Sequence, residues 1–236
     1  MNILKKMSIK KNIMAIYIVT TIITFGVVYY VLFSNWTATA DKILSSVAQD
    51  MNEKIYKEFE AFIKLPQYLN EVTENQIQSG VIDFTNEVTR DKFFVGLLRA
   101  HGSTPIYSIS IGTESGEYYG ARRNSDNIVE IMKNNSDTGG KSRYYKVTED
   151  MSKGDMVLET GNFDPRTRPW YRQAIKNGKT TFSPLYKHFV MDDLTVSVGT
   201  PVSDREGKVW GVLGTHITLS RMDSYLSEIV KRNKAT

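Results

Sequence analysis

From Ile13 to Phe33 the chain holds no charged side chain, only Ile, Val, Phe, Tyr, Met, Leu and Ala relieved by Thr and Gly. At 1.5 Å per residue, about 20 such residues as helix cross a hydrocarbon core roughly 30 Å thick. Lys5, Lys6, Lys10 and Lys11 precede the run, and no Lys or Arg follows it until Lys42. That asymmetry predicts a transmembrane helix with its N-terminus in the cytoplasm and the rest of the chain outside. Tyr29, Tyr30 and Trp36 suit the outer interface. Two other readings compete. Ala38-Thr39-Ala40 offers a small-residue cleavage site for a secretory signal, although a signal's apolar core is normally about 7 to 15 residues. The run could also be buried inside a soluble domain.

The four lysines account for the formal charge of +4. With them set aside, basic and acidic residues balance, so no basic face is left for DNA or RNA. Hydrophobic content of 41% and charged content of 24% describe a chain able to bury a core. The chain has no cysteine, which excludes disulfides, cysteine metal sites and cysteine nucleophiles.

Beyond the run, Ile43, Val47, Met51, Ile55, Phe59 and Phe62 recur at spacings of four and three among Lys, Asp and Glu. This predicts one long amphipathic helix reaching Leu65, where Pro66 disfavours continuation. It would extend on the order of 45 Å from the membrane. Its stripe can pack on its own domain, form a homodimer seam, or do both. Residues 67 to 100 carry two weaker helical patterns, with Asp91 as candidate cap of the second. His101 at its end reads as a cap or solvated residue.

From Pro105 the period changes to two. Ile106–Ile111 and Glu117–Ala121 predict a hairpin, Ile128–Lys133 a short helix, and Arg143–Thr148 with Asp155–Thr160 a second hairpin across Ser152 to Gly154. Thr180–Phe189 is expected to pair with Leu194–Pro201. Ser203 to Gly207 then turns into Val209–Leu219, and Arg221–Lys231 closes as a helix. Consecutive hairpins with helices kept to one side describe an α+β fold with an antiparallel sheet. The expected order is a basic tail over 1–12, a span over 13–33, stalk and flanking helices over 34–100, a ligand-binding module over 101–220 and a closing helix over 221–236.

The chemistry concentrates between Asn162 and Tyr171, Asn-Phe-Asp-Pro-Arg-Thr-Arg-Pro-Trp-Tyr. Pro165 and Pro169 stiffen the backbone and aim Asp164 and Arg168. Trp170 to Lys176, with Pro169 at its first position and Gly178 past its end, predicts a short helix. A guanidinium beside a helix N-terminus makes Arg168 an anion-binding candidate, walled by Trp170 and Tyr171. Asp164 and Arg166 are expected to brace the loop.

Asp164 to Tyr171, then Ser183-Pro184-Leu185-Tyr186, then Gly211-Val212-Leu213-Gly214, resemble the ligand-binding module of double Cache domains. These are PAS-like extracytoplasmic sensors of bacterial chemoreceptors, histidine kinases and diguanylate cyclases. The resemblance implies a PAS-like sheet behind a long stalk helix, a small-molecule ligand, and a membrane-distal module followed by a second module and an output domain. In amino-acid-sensing relatives the arginine holds the ligand carboxylate and two acids hold its ammonium. Arg168, Trp170, Tyr171 and Tyr186 match that pattern, whereas His188 and His216 stand where the acids belong. An imidazole is no counter-ion for an ammonium, so the expected ligand is a small organic anion, bound more tightly as pH falls through about 6.5 if either histidine contacts it. Two histidines without a third protein ligand make an incomplete metal site, no cofactor motif is present, and no catalytic constellation converges. The competing function is an anchored interaction or dimerisation module with a vestigial pocket.

Overall fold

The computed structural model describes residues 9–204 and 206–234. Lys5 and Lys6 of the basic tail, and Arg205 of the turn expected over Ser203 to Gly207, lie outside the described residues. The chain divides into two compact units between Tyr56 and Lys57.

The first unit is helical. Helix α1 starts at Ile9 and runs to Gln78 in the second unit. The apolar side chains from Ile13 to Phe33 are exposed. Among the described residues this is the one helix long and apolar enough to cross a membrane.

The second unit follows the order α1, α2 (Glu87–Ala100), β1 (Ile106–Thr113), β2 (Tyr118–Arg123), β3 (Val129–Asn134), β4 (Lys141–Val147), β5 (Lys153–Asn162), α3 (Pro169–Asn177), β6 (Thr181–Phe182), β7 (Tyr186–Lys187), β8 (Leu194–Ser203), β9 (Val209–Thr218) and α4 (Leu219–Lys234). The strands form one antiparallel sheet, β5-β4-β3-β2-β1-β9-β8-β6, with β7 also on β8. This is the expected α+β architecture.

Five local expectations need correction. Pro66 does not end the stalk helix, because packing outweighs its missing N–H. Phe62 and Leu69 are buried in the core, Asn70 Nδ2 donates to Val198 O at 3.0 Å, and Asn70 Oδ1 accepts from Thr215 Oγ1 at 2.7 Å. Helix α2 is capped by Asn86, whose side chain accepts from Thr89 N, while Asp91 lies buried inside the helix. Residues 129–134 form a strand, not a helix: Val129 and Ile131 enter one core cluster and Met132 the other, a period of two that a short apolar run conceals. Finally, the helices are not all on one side. Side chains of α1, α2 and α4 pack into one cluster, while Trp170, Tyr171 and Ala174 of α3 enter the other with Tyr118, Met132, Tyr144 and Val212. The expected strand from Thr180 is broken into β6 and β7 around Pro184.

Candidate functional site

The site forms where α3 meets the sheet. Asp164 caps the turn Pro165–Thr167, its Oδ1 accepting from Arg166 N at 2.9 Å and its Oδ2 from Arg166 Nη2 at 2.7 Å. Arg166 Nη1 also donates to Glu114 O at 3.1 Å, so this pair braces the loop as its composition suggests. Pro169 opens α3, and Gly178 closes it at φ 61° in the left-handed region that glycine tolerates.

Two glycines let this element sit close. A Cβ on Gly112 would stand 2.6 Å from Pro165 Cβ, and one on Gly199 would stand 2.5 Å from Trp170 O. Gly199 belongs to a cross-strand row that reads Tyr144, Met132, Gly120, Ser110, Gly214, Gly199. Opposed residues of a sheet share a face, so this run of small side chains leaves a trough beneath α3. The His216 ring occupies part of it: a Cβ on Gly214 would lie 2.7 Å from His216 Nε2.

Over the trough lies a cavity of about 30 Å³, room for about two water molecules. Arg168, Trp170, Tyr186, His188 and His216 all line it, joined by Tyr107, Ser108, Tyr118, Met132, Ser142, Tyr144, Phe163, Phe189 and Val190. Arg168 is its one formally charged residue. Tyr171 is not among the lining. It is buried on α3 and faces a separate depression with Glu114, Arg166, Ile175 and Pro201.

Arg168 is half-buried, with its guanidinium 5.2 Å from the Tyr186 ring centre and 5.8 Å from that of Phe163. Its Nη2 donates to Lys187 O at 3.0 Å. Behind the cavity wall a second cation is neutralised: Arg122 Nη2 lies 2.9 Å from Glu130 Oε2, and the Arg122 guanidinium stacks 3.5 Å over Tyr144.

The two histidines differ from the sequence expectation. His188 Nδ1 accepts from Val190 N at 3.1 Å and Met191 N at 3.0 Å, which fixes its proton on Nε2. Burial, then the charges of Arg122 and Arg168, push its pKa down to about 4. His216 is 4% exposed, with Nδ1 2.8 Å from Ser197 Oγ and Nε2 2.8 Å from Ser110 Oγ. Ser110 Oγ donates to Gly214 O at 3.3 Å. The ring thus bridges Ser110 and Ser197, and Ser197 Oγ lies 2.7 Å from Tyr186 Oη. Burial, then His188 and Arg168, lower the His216 pKa to about 3. Both imidazoles are neutral near pH 6.5, and the expected protonation switch there is withdrawn.

Sequence reasoning missed Tyr107, Tyr118, Ser142 and Tyr144. Their signal is pairing register, since Met132 opposes both Gly120 and Tyr144, and register is not legible before strand partners are known. Ser142 Oγ is buried without a hydrogen-bond partner and completes the floor.

Residues 119–224 match the model of the first PDC sensor domain of methyl-accepting chemotaxis protein-like proteins. Methyl-accepting chemotaxis protein McpA of Pseudomonas putida is 37% identical over 68 residues, covering 28% of this chain and 10% of that protein. PctB of Pseudomonas aeruginosa is 28% identical over 68 residues, covering 29% of this chain and 11% of its own length. The matched segment thus spans about a tenth of these curated relatives. Among solved structures, methyl-accepting chemotaxis protein X superposes with a TM-score of 0.50 at 16% identity, covering 80% of this chain and 68% of that one.

Proposed function

We propose, from the premise that this chain carries a PDC (Cache-type) sensor domain of the chemoreceptor class, that it is the membrane-anchored, extracytoplasmic ligand-binding part of a receptor for a small organic anion. The observation that carries the ligand class is the cavity lining, which holds Arg168 and neither Asp nor Glu. With His188 presenting Nε2–H, the charged and N–H groups there favour a carboxylate, and no carboxylate side chain lines the cavity to pair with an ammonium. The reading assigns Arg168 to the carboxylate and Trp170, Tyr186 and His188 to its enclosure. His216 acts through Ser197 on Tyr186, and Tyr171 supports Trp170 from behind.

The lysines before Ile13 support a cytoplasmic N-terminus and a sensor outside, in the bacterial cytoplasmic membrane. Ile43, Val47, Met51 and Phe59 remain exposed along α1, which supports a homodimer seam, whereas Phe62 stacks on Tyr225 at 6.2 Å within its own domain. Chemotaxis is the output that the chemoreceptor relatives favour.

The small cavity favours a second reading, an anchored interaction module with a vestigial pocket. A carboxylate larger than two waters enters only if the segment from Tyr186 to Asp193 opens. Calorimetry of the full chain in detergent against matched carboxylate and amino-acid panels separates the two. Saturable carboxylate binding lost in Arg168→Ala supports the sensor, and no heat from any member supports the interaction module.

A further inference from the structure

The opposite face of the sheet holds a larger cavity, about 620 Å³, within the roughly 300–1,000 Å³ typical of small-molecule sites. Its walls are apolar: Ile77, Ile82, Phe84, Ile111 and Trp210. One cation lines it. The Arg90 side chain is 7% exposed and lies flat on the Tyr119 ring, 3.6 Å from its centre.

This guanidinium is under-satisfied. Of five donor hydrogens, one makes a hydrogen bond, from Nη1 to Phe84 O at 3.3 Å. Nε is buried with no partner, and Asp91 Oδ1, at 3.7 Å, is beyond hydrogen-bond reach. Buried donors are costly to leave unpaired; Nε itself has no accessible surface, so an oxygen in the cavity beside Arg90 would bond the remaining Nη hydrogens. Asp83 and Glu117 also line the cavity, so the charge there is one cation against two anions, and a bare anion gains little.

We propose that this cavity is a second ligand site, taking a net-neutral molecule with an apolar body and an acceptor oxygen that bonds Arg90. It is chemically the inverse of the Arg168 cavity, which has a cation and no acid. The two sites lie against opposite faces of the strands β1, β2 and β9, so a ligand in one is sensed by the backbone that shapes the other.

Three probes with one apolar body distinguish the head groups: isocaproamide, uncharged; L-leucine, a zwitterion; and isocaproate, an anion. Trp210 emission and thermal shift of the full chain in detergent are the readouts. In Arg168→Ala, where the carboxylate site is removed, isocaproamide and L-leucine produce saturable shifts, and isocaproate binds at least tenfold more weakly. Arg90→Lys weakens the neutral probes at least tenfold, Ile77→Phe, which fills the cavity from a half-buried position, removes their binding, and Arg168→Ala leaves it unchanged. If Arg90→Lys unfolds, Ile77→Phe decides. Absence of a saturable shift from both neutral probes, isocaproate binding to Arg168→Ala as tightly as they do, neutral-probe binding that survives Ile77→Phe, or neutral-probe binding that is lost in Arg168→Ala would each overturn the proposal.

Discussion

His216 Nδ1 stands 2.8 Å from Ser197 Oγ, deep in the sheet. That contact links the imidazole to Tyr186, while burial, then His188 and Arg168, keep it neutral. A group whose folded pKa is depressed to about 3, against about 6.5 unfolded, binds protons first in the unfolded state. Stability is then intact above about pH 6.5 and lost as pH falls from there toward 3. His188, lowered to about 4, acts in the same direction. Each costs about 2 kcal/mol at pH 5 by this linkage. Asp91, raised by burial to about 6, opposes them, adding stability below its unfolded pKa that is lost as pH rises through 6. The expected result is a melting temperature that drops between pH 7 and pH 5, with a shallower drop in His188→Gln. A pH-independent melting temperature over that range would refute the neutral-imidazole assignment.

Ligand affinity should behave differently. Because neither imidazole titrates between pH 6 and 8, carboxylate binding should be flat there. Arg168→Ala should abolish binding, since a desolvated carboxylate would lose its charge partner. It should cost about 2 kcal/mol of stability, about 1 for the hydrogen bond to Lys187 O and about 0.5 for each of two ring contacts. Calorimetry at two pH values beside urea denaturation checks both halves. A steep rise in affinity toward pH 6 would restore a histidine contact.

Gly199 offers a test of how the site is seated. Its added Cβ would lie 2.5 Å from Trp170 O and 3.0 Å from Ala174 Cβ, and both belong to α3. Gly199→Ala should push α3 off the sheet and cost about 1–3 kcal/mol, the usual range for overpacking. Gly161, where an added Cβ meets nothing within 4 Å, is the control. Equal urea midpoints for the two alanine variants would contradict the close seating.

Topology gives a prediction independent of the pocket. A reporter fused after Thr236 should be active outside the membrane and stay membrane-bound through a high-salt wash. A soluble secreted form beginning at Asp41 would mean that Ile13 to Phe33 is a cleaved signal.

Much of this molecule is legible in the chain because its strongest signals are local. Pro169 and Gly178 bracket α3 as read, and Asp164 and Arg166 pair as their spacing suggests. The failures are tertiary. Pro66 is tolerated because Asn70 bonds into the sheet 128 residues away. The segment Ile128–Lys133 reads as helix because its period of two is hidden by burial on both faces. Tyr171 sits one position from Trp170, yet a helix turns about 100° per residue, and so the two rings serve different cavities. His216 was legible as a site position but not as a neutral one, since Ser110 and Ser197 are its partners only after β1, β9 and β8 pair.

The last prediction concerns entry. Phe189 and Phe163 meet with ring centres 4.9 Å apart, and both line the small cavity. Phe189 sits in the segment that His188 pins through Val190 N and Met191 N, and 38% of it is exposed. If this segment must open for a carboxylate to reach Arg168, apparent affinity is the intrinsic affinity reduced by the fraction of molecules that are open. An aromatic pair contributes about 0.5–1.5 kcal/mol beyond area burial. Phe189→Ala should therefore raise the association rate about 2- to 10-fold for a carboxylate that the parent binds. Where the parent shows no measurable binding, the same variant should bring binding into range. Stopped-flow tryptophan fluorescence, with Trp170 in the cavity wall, reads the rate directly. An unchanged association rate in Phe189→Ala would remove the segment from the entry path. No binding by parent and variant alike would favour the interaction module over the sensor.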